Sequence, residues 1–169
     1  MSPRDDLHDG RVELVIRPEQ TEDHEAVREV HRQAFGDGER VPMLVDALRA
    51  AVTSVAPLSL VATVGERVVG HVMLSACRLD ALPRLVDVVS LSPLGVLPEY
   101  QRQGIGTRLV EECIRFARNC GYQKLVLWTN SVLLEARHIY EKTGFKLIAE
   151  EAHHSFGHDL IGETWELDL

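Results

Sequence analysis

Apolar residues along the chain recur at two spacings, and the switches between them divide it into strands and helices. Arg11 to Arg17 alternates, with Val12, Leu14 and Ile16 on one side, which is the period of a half-buried strand. Thr21 or Asp23 can then cap a helix in which Val27, Val30, His31 and Ala34 share a face, ending near Gly36 and Gly38. A second helix is predicted from Pro42 to Ala51, with Leu44, Ala47, Leu48 and Ala51 inward. Residues 58–64 and 68–77 are β-rich runs separated by Gly65, Glu66 and Arg67, a hairpin signal. Residues 86–96 form a fourth strand. Pro93 inside it cannot donate to a ladder and so predicts a bulge or an edge.

The second half opens with the best-marked helix of the chain. Gly106, Leu109, Val110, Cys113, Ile114 and Ala117 fall on one stripe, Arg108, Glu111, Glu112, Arg115 and Arg118 on the other, and Gly121 is placed to end it. Residues 124–129 read as a short strand parallel to its predecessor, because a helix makes the crossover. Asn130 or Ser131 caps a further helix carrying Val132, Ala136, Ile139 and Tyr140 inward and stopping at Gly144. The last two strands are expected at 145–149 and 164–169, joined by a polar loop that holds His153, His154 and His158. No internal repeat or low-complexity linker interrupts the pattern.

Composition narrows this picture without redrawing it. The chain has 169 residues with 45% hydrophobic content, enough for one core, so a single domain over 11–169 follows a polar, flexible arm at 1–10. No run of eighteen apolar residues and no charged-then-apolar leader is present, which favours a cytoplasmic protein without a membrane partner. Cys77, Cys113 and Cys120 show no C-x-x-C spacing, and neither a disulfide framework nor a thiolate metal site is expected. The three histidines of the C-terminal loop lack a carboxylate or cysteine at ligand spacing, so no metal is predicted there either. A net charge of -8 argues against a nucleic-acid surface and suits an amine or other basic acceptor.

Candidate chemistry concentrates at residues 94–121. An apolar strand is joined to the amphipathic helix through Gln101, Arg102, Gln103, Gly104, Ile105 and Gly106, so several backbone N–H groups converge at a helix start, a ready site for phosphate. Glycines at 104 and 106 let phosphate oxygens approach the amides. A dinucleotide loop needs a third glycine where Leu109 stands, and a nucleoside-triphosphatase loop needs a Gly-Lys-Ser/Thr end that is absent.

The remaining Q-x-x-G-x-G, preceded by V-x-P and followed by Asn130 and by Tyr140-x-x-x-Gly144-Phe145, resembles the acetyl-CoA pyrophosphate loop of the GNAT superfamily of N-acetyltransferases. The likeness covers nearly the whole chain. It implies an α/β fold with a mixed, mostly antiparallel seven-stranded sheet flanked by four helices, in which the fourth and fifth strands are parallel and splayed. It also implies direct attack of a primary amine on acetyl-CoA in a ternary complex. The acceptor favoured is a small amine or an amino acid. The alternatives are a protein or peptide N-terminus or lysine, and a CoA-binding module without turnover. A homodimer is compatible with the family.

Carried over residue by residue, the resemblance assigns the backbone of Leu94 and Val96 to the pantetheine arm. Gln101, Arg102, Gln103, Gly104, Gly106 and Thr107 surround the pyrophosphate, and Asn130 reaches the cofactor arm or serves as a helix cap. Arg102 and Arg108 add positive charge. Phe35 to Met43 are candidates for acceptor contact. Tyr140 is the catalytic residue, a phenol aimed at the sulfur and able to protonate the departing thiolate. Several relatives carry a glutamate base on the fourth strand, but that position here is Ser90, which leaves Asp87, His71 or a water chain for the role, or no dedicated base at all where the amine arrives neutral. The C-terminal stretch from Glu150 to Leu169 is similar instead to the acetyltransferase half of MarR-type regulator fusions.

Overall fold

A computed structural model describes residues 13–51, 57–81, 84–155 and 157–169, with the backbone alone for 78–81 and 84–87. The expected arm at 1–10 and the first residues of the first strand lie outside the described residues. The strands are β1 (Leu14–Pro18), β2 (Leu58–Val64), β3 (Arg67–Ala81), β4 (Arg84–Val96), β5 (Lys124–Asn130), β6 (Lys146–Ser155) and β7 (His158–Asp168). The α-helices are α1 (His24–Phe35), α2 (Arg40–Ala50), α3 (Ile105–Asn119) and α4 (Leu134–Lys142).

The strands form one sheet in the order β1-β2-β3-β4-β5-β7-β6, antiparallel throughout except for β4 against β5. The apolar alternation of the sequence determines its two faces. Gly70 on β3 turns toward Ile105 and Leu109 of α3, whereas Gly95, beside Gly70's ladder partner Val96, turns toward His31 of α1. The stripe read on α3 is buried at each of its six positions, and Ile105 joins it. Val27, Val30 and His31 of α1 are buried on the other face.

Two pairing features set up the site. Val72 pairs with Leu94 and Leu74 with Leu91, so β4 carries one extra residue, the bulge expected at Pro93. The parallel pairing of β4 with β5 stops after two partners, Val89 with Leu125 and Ser90 with Val126. Beyond Ser90 the strands separate.

Several element boundaries differ from the sequence reading, each for a physical reason. The stretch expected as a polar loop is a long β6–β7 hairpin, with His153 and His154 in β6 and His158 opening β7. Its β6 residues lie at the sheet edge and are largely exposed, so no apolar alternation marks them. On α2 the inward residues are Pro42 and Val45, while Leu44 is exposed; two stripes one residue apart were both available in that sequence. On α4 the helix starts at Leu134, and Val132 is exposed in the preceding turn.

The contact between α1 and the sheet is polar where it is deepest. His31 and His71 are fully buried, and His31 Nε2 lies 2.8 Å from His71 Nδ1. His71 Nε2 lies 2.8 Å from Ser59 Oγ, which donates to Glu19 Oε2 at 2.6 Å. Arg49 of α2 closes the chain on Glu19 Oε1 at 2.5 Å. Burial pushes both imidazoles down to about 3, with the His71 charge adding to the effect at His31 and Arg49 to that at His71.

An imidazole depressed in the folded state stabilises the fold fully above its unfolded value of about 6.5 and loses that contribution as pH falls toward its folded value. The unfolded chain binds the extra protons, so stability should fall with pH by up to about 1.4 kcal/mol per unit for each histidine. Urea midpoints should therefore drop between pH 6.5 and 4.5, before carboxylates titrate. A flat profile across that window would show that the two rings are not buried neutral.

Candidate functional site

Where β4 leaves β5, a groove of about 750 Å³ opens. One wall is the backbone of Leu94, Gly95 and Val96 on β4, and the opposite wall is α4 with the turn ahead of it, from Val132 to Ala136 and on to His138, Ile139 and Lys142. The loop from Tyr100 to Thr107 closes one end, and Ala34 and Phe35 of α1 edge it beside Gly95. Beyond Ser90 the β4 wall keeps β3 on one side and has no strand on its β5 side, so the backbone polar groups of that free edge face the groove.

The loop is shaped by its own side chains. A short 3-10 turn at Pro98–Tyr100 leads into Arg102, which takes the left-handed conformation at φ 59°, and Gly104, at φ 82°, starts α3. Gln101 Nε2 donates to the Val96 carbonyl at 3.0 Å, and Gln103 Nε2 donates to the Glu99 carbonyl at 3.0 Å. Both glutamine amides therefore tie the loop to itself. The first bond of α3 runs from Arg108 N–H to Gly104 O at 3.1 Å, so the amides before Arg108 precede the helical ladder and lie at its positive end.

The two loop glycines differ in purpose. A Cβ on Gly104 would meet nothing within 4 Å, so its requirement is conformational. A Cβ on Gly106 would come 2.7 Å from Ile139 Cδ1, so this glycine lets α3 approach α4. That packing role is additional to the one read from the sequence.

Of the residues expected around a cofactor, Leu94, Val96, Gln101, Arg102, Gly104, Gly106 and Thr107 line the groove, and Gln103 and Asn130 are not among its lining residues. The Asn130 side chain is taken by His153, with Oδ1 2.8 Å from Nε2, and the cap of α4 is Leu133. Tyr140 is 5% exposed, packed near Phe145 and Trp165 with ring centroids at 5.8 and 6.4 Å, one residue beyond the groove-lining Ile139. Burial pushes its phenol up. His71 lies beneath the sheet surface in the buried chain, away from the groove lining, and the Asp87 side chain lies outside the described residues. Among Phe35 to Met43, Phe35 is the one that lines the groove.

Sequence reasoning missed Lys142 and the exposed apolar turn Val132 to Leu134. Apolar residues ahead of a helical stripe, at positions the stripe does not need, were the available signal. His153 also contacts Ser155 Oγ at 2.9 Å, and His154 pairs with Asp159 at 2.8 Å. Among the described residues no three His, Cys, Asp or Glu side chains converge as metal ligands, and no helix is long and apolar enough to cross a membrane.

A splayed parallel strand pair, a bulged β4 and an amide-bearing loop at the start of α3 are the framework of an acyltransferase fold. Residues 24–145 match the family model described as the acetyltransferase (GNAT) family, and the chain belongs to that family. Acetyl-CoA is the acyl donor of its acetyltransferases.

Among curated relatives, human N-acetyltransferase 8 is 37% identical over 81 residues, 48% of this chain and 35% of the relative. The Escherichia coli N-acetyltransferase YjhQ, described as uncharacterized, is 32% identical over 97 residues, 57% of this chain and 53% of that protein. The matched region thus spans between about a third and a half of these relatives. Among solved structures, Arabidopsis thaliana NAA60 in complex with acetyl-CoA superposes with a TM-score of 0.75 at 16% identity, covering 93% of this chain and 100% of that one. The ribosomal-protein-S18-alanine N-acetyltransferase of Escherichia coli gives 0.73 at 19% identity, covering 92% and 94%.

Gly95 offers a direct check of the groove wall. A Cβ there would lie 2.8 Å from His31 Nδ1 and 3.0 Å from its Cε1, so Gly95→Ala must displace the imidazole. Overpacking of this kind costs about 1–3 kcal/mol. Chemical denaturation should register that loss, and an unaltered midpoint would mean that α1 does not press on β4 as described.

Proposed function

We propose that this chain is an N-acetyltransferase that transfers the acetyl group of acetyl-CoA to a primary amine by direct attack. The observation that carries the reading is the separation of β4 from β5, which leaves one edge of the β4 backbone free along a groove that ends on the α3 loop and its Arg102. An extended thiol-linked arm with a pyrophosphate at its end fits those two features. Leu94 and Val96 would bond the arm, the amides from Gly104 to Thr107 with Arg102 would hold the pyrophosphate, and Lys142 adds a second cation at the wall. When bound, acetyl-CoA supplies an activated acyl carbon and a thiolate leaving group.

Tyr140 is the acid of this proposal. An acid must carry its proton at working pH, and burial of the phenol secures that. Its position just beyond Ile139 sets it behind the groove wall that the leaving sulfur would follow. Asn130 Oδ1 meets His153 Nε2, and its backbone carbonyl accepts from Leu133 N–H in the turn that precedes α4, which leaves the side-chain NH2 for the cofactor arm.

The favoured acceptor is a small amine or amino acid. Exposed Val132, Leu133 and Leu134 at the groove also suit a peptide, and one structural neighbour is a ribosomal-protein-S18-alanine N-acetyltransferase. All three cysteines are free thiols, which fits a reducing, cytoplasmic setting. The outer strand β6 is paired on one side only, which suits a homodimer. Following free thiol from acetyl-CoA with ethanolamine, single amino acids, a peptide with a free N-terminus and a lysine peptide would test the reading. Tight acetyl-CoA binding with no thiol release from any of them would favour a non-catalytic binding module.

Gly104→Glu should lower acetyl-CoA affinity at least about tenfold, a change of roughly 1.4 kcal/mol, because the carboxylate would point into open space beside the loop amides. The left-handed backbone adds a folding cost of about 1 kcal/mol. Gly106 is unsuited to this test, since any side chain there disturbs Ile139. Calorimetry showing unchanged affinity would remove the loop from the cofactor site.

Tyr140→Phe should reduce turnover by roughly 10²-fold, as for loss of one general acid, with acetyl-CoA affinity retained. A variant that melts early yet turns over normally would assign the hydroxyl to the core instead.

A further inference from the structure

A second hollow, of about 510 Å³, lies between the C-terminal parts of α3 and α4. On α3 it is lined by Glu111, Ile114, Arg115 and Arg118, which recur at i, i+3, i+4 and i+7 and so form one stripe, and on α4 by Lys142. Lys142 also lines the groove, so the two hollows share that side chain. It stands one turn, about 4.5 Å, beyond Ile139, the residue that abuts Gly106. Side chains on a helix lean toward its N-terminus, so the arginines of the α3 stripe lean toward the loop at the groove's end.

Arg115, Arg118 and Lys142 face this hollow against one lining carboxylate, Glu111, which leaves it net positive on a chain whose net charge is -8. Arg115 is paired with Glu112, whereas among the described residues Arg118 and Lys142 have no carboxylate partner. All three cations are exposed, so a ligand can reach them from solvent. Asn119 adds a side-chain amide, while the Thr143 hydroxyl is spent on the Ile139 and Tyr140 carbonyls at 2.8 and 3.2 Å. A helix C-terminus favours positive charge, which accounts for the sign of each residue. It does not account for two helices presenting unpaired cations to one hollow beside the groove, since like charges brought together repel.

We propose that this hollow receives the 3′-phosphate of coenzyme A, held by Lys142 and Arg118 with Arg115 adding charge, and that the protein thereby selects 3′-phosphorylated donors. The proposal rests on the acetyltransferase reading. With the pantetheine arm along β4 and the pyrophosphate on the amides at the start of α3, the adenosine must continue past the loop. Lys142 is the side chain that bridges groove and hollow on that course. A phosphate monoester carries about 1.5 to 2 negative charges at neutral pH, more than either phosphate of the pyrophosphate. It is therefore the part of the donor that cations favour most, through charge-assisted hydrogen bonds that need no burial. A donor with the same arm but no 3′-phosphate would fill the groove and leave the cations of the hollow unpaired.

Arg118 lines the hollow and not the groove, so it tests the hollow alone. In calorimetry the wild type should bind acetyl-CoA about tenfold more tightly than 3′-dephospho-acetyl-CoA, or better. Arg118→Ala should weaken acetyl-CoA binding about five- to tenfold and leave the affinity of the dephospho donor within about twofold. Arg118→Lys, which keeps the charge, should recover most of the loss. Lys142→Ala, which also touches the groove, should weaken both donors, and acetyl-CoA the more. Equal affinity of the wild type for the two donors, or equal loss for both in Arg118→Ala, would overturn the selection and leave the acetyltransferase reading intact. Binding of neither donor by the wild type would overturn that reading, and the selection with it.

Discussion

The parting of β4 from β5 is the constraint on which the rest of this molecule depends. Two strands joined by a helical crossover pair in parallel for only two residues and then separate, which exposes strand backbone that would otherwise be satisfied by a neighbour. The extra residue on β4 around Pro93 bends the strand near that point, and α3 and α4 enclose the space that results. A sheet that remained paired along the full strand would have a continuous surface and no groove. On its other side β5 remains paired with β7 over seven partners.

The framework was legible where burial imposes a period. The α3 stripe, the β2–β3 hairpin, the bulge at Pro93 and the parallel crossover each follow from residue types whose physical preferences allow few alternatives. The β6–β7 hairpin was hidden for the converse reason: residues 150–155 are held by ladder bonds and not by a core, and strands without a buried face carry no alternation. On α2, two apolar stripes one residue apart competed, and Pro42 and Val45 are the residues buried as the helix packs on α1.

The site was legible in its glycines and less so in its polar side chains. Gln101 and Gln103 belong to the expected loop, but their amides brace its backbone, a use that spacing alone cannot distinguish from ligand contact. Asn130 was read as a cofactor contact or a cap, and its oxygen instead meets a histidine from a strand that the sequence pattern did not reveal. His31 looked like an apolar-face histidine because its partners come from β2, β3 and the segment before α1, separated from it by 12 to 40 residues. Such convergence depends on tertiary structure and leaves no local trace.

Gly106 ties two parts of the molecule that would otherwise vary separately. It belongs to the loop at the groove's end, and its missing side chain is also the space into which Ile139 fits. The loop and the opposite wall therefore share one volume constraint. A larger residue at 106 would press on the end of the Ile139 side chain, so a change at either position reshapes the loop and the groove wall together. Engineering of the groove's width could start from this pair of positions, with the loop's left-handed turns left untouched.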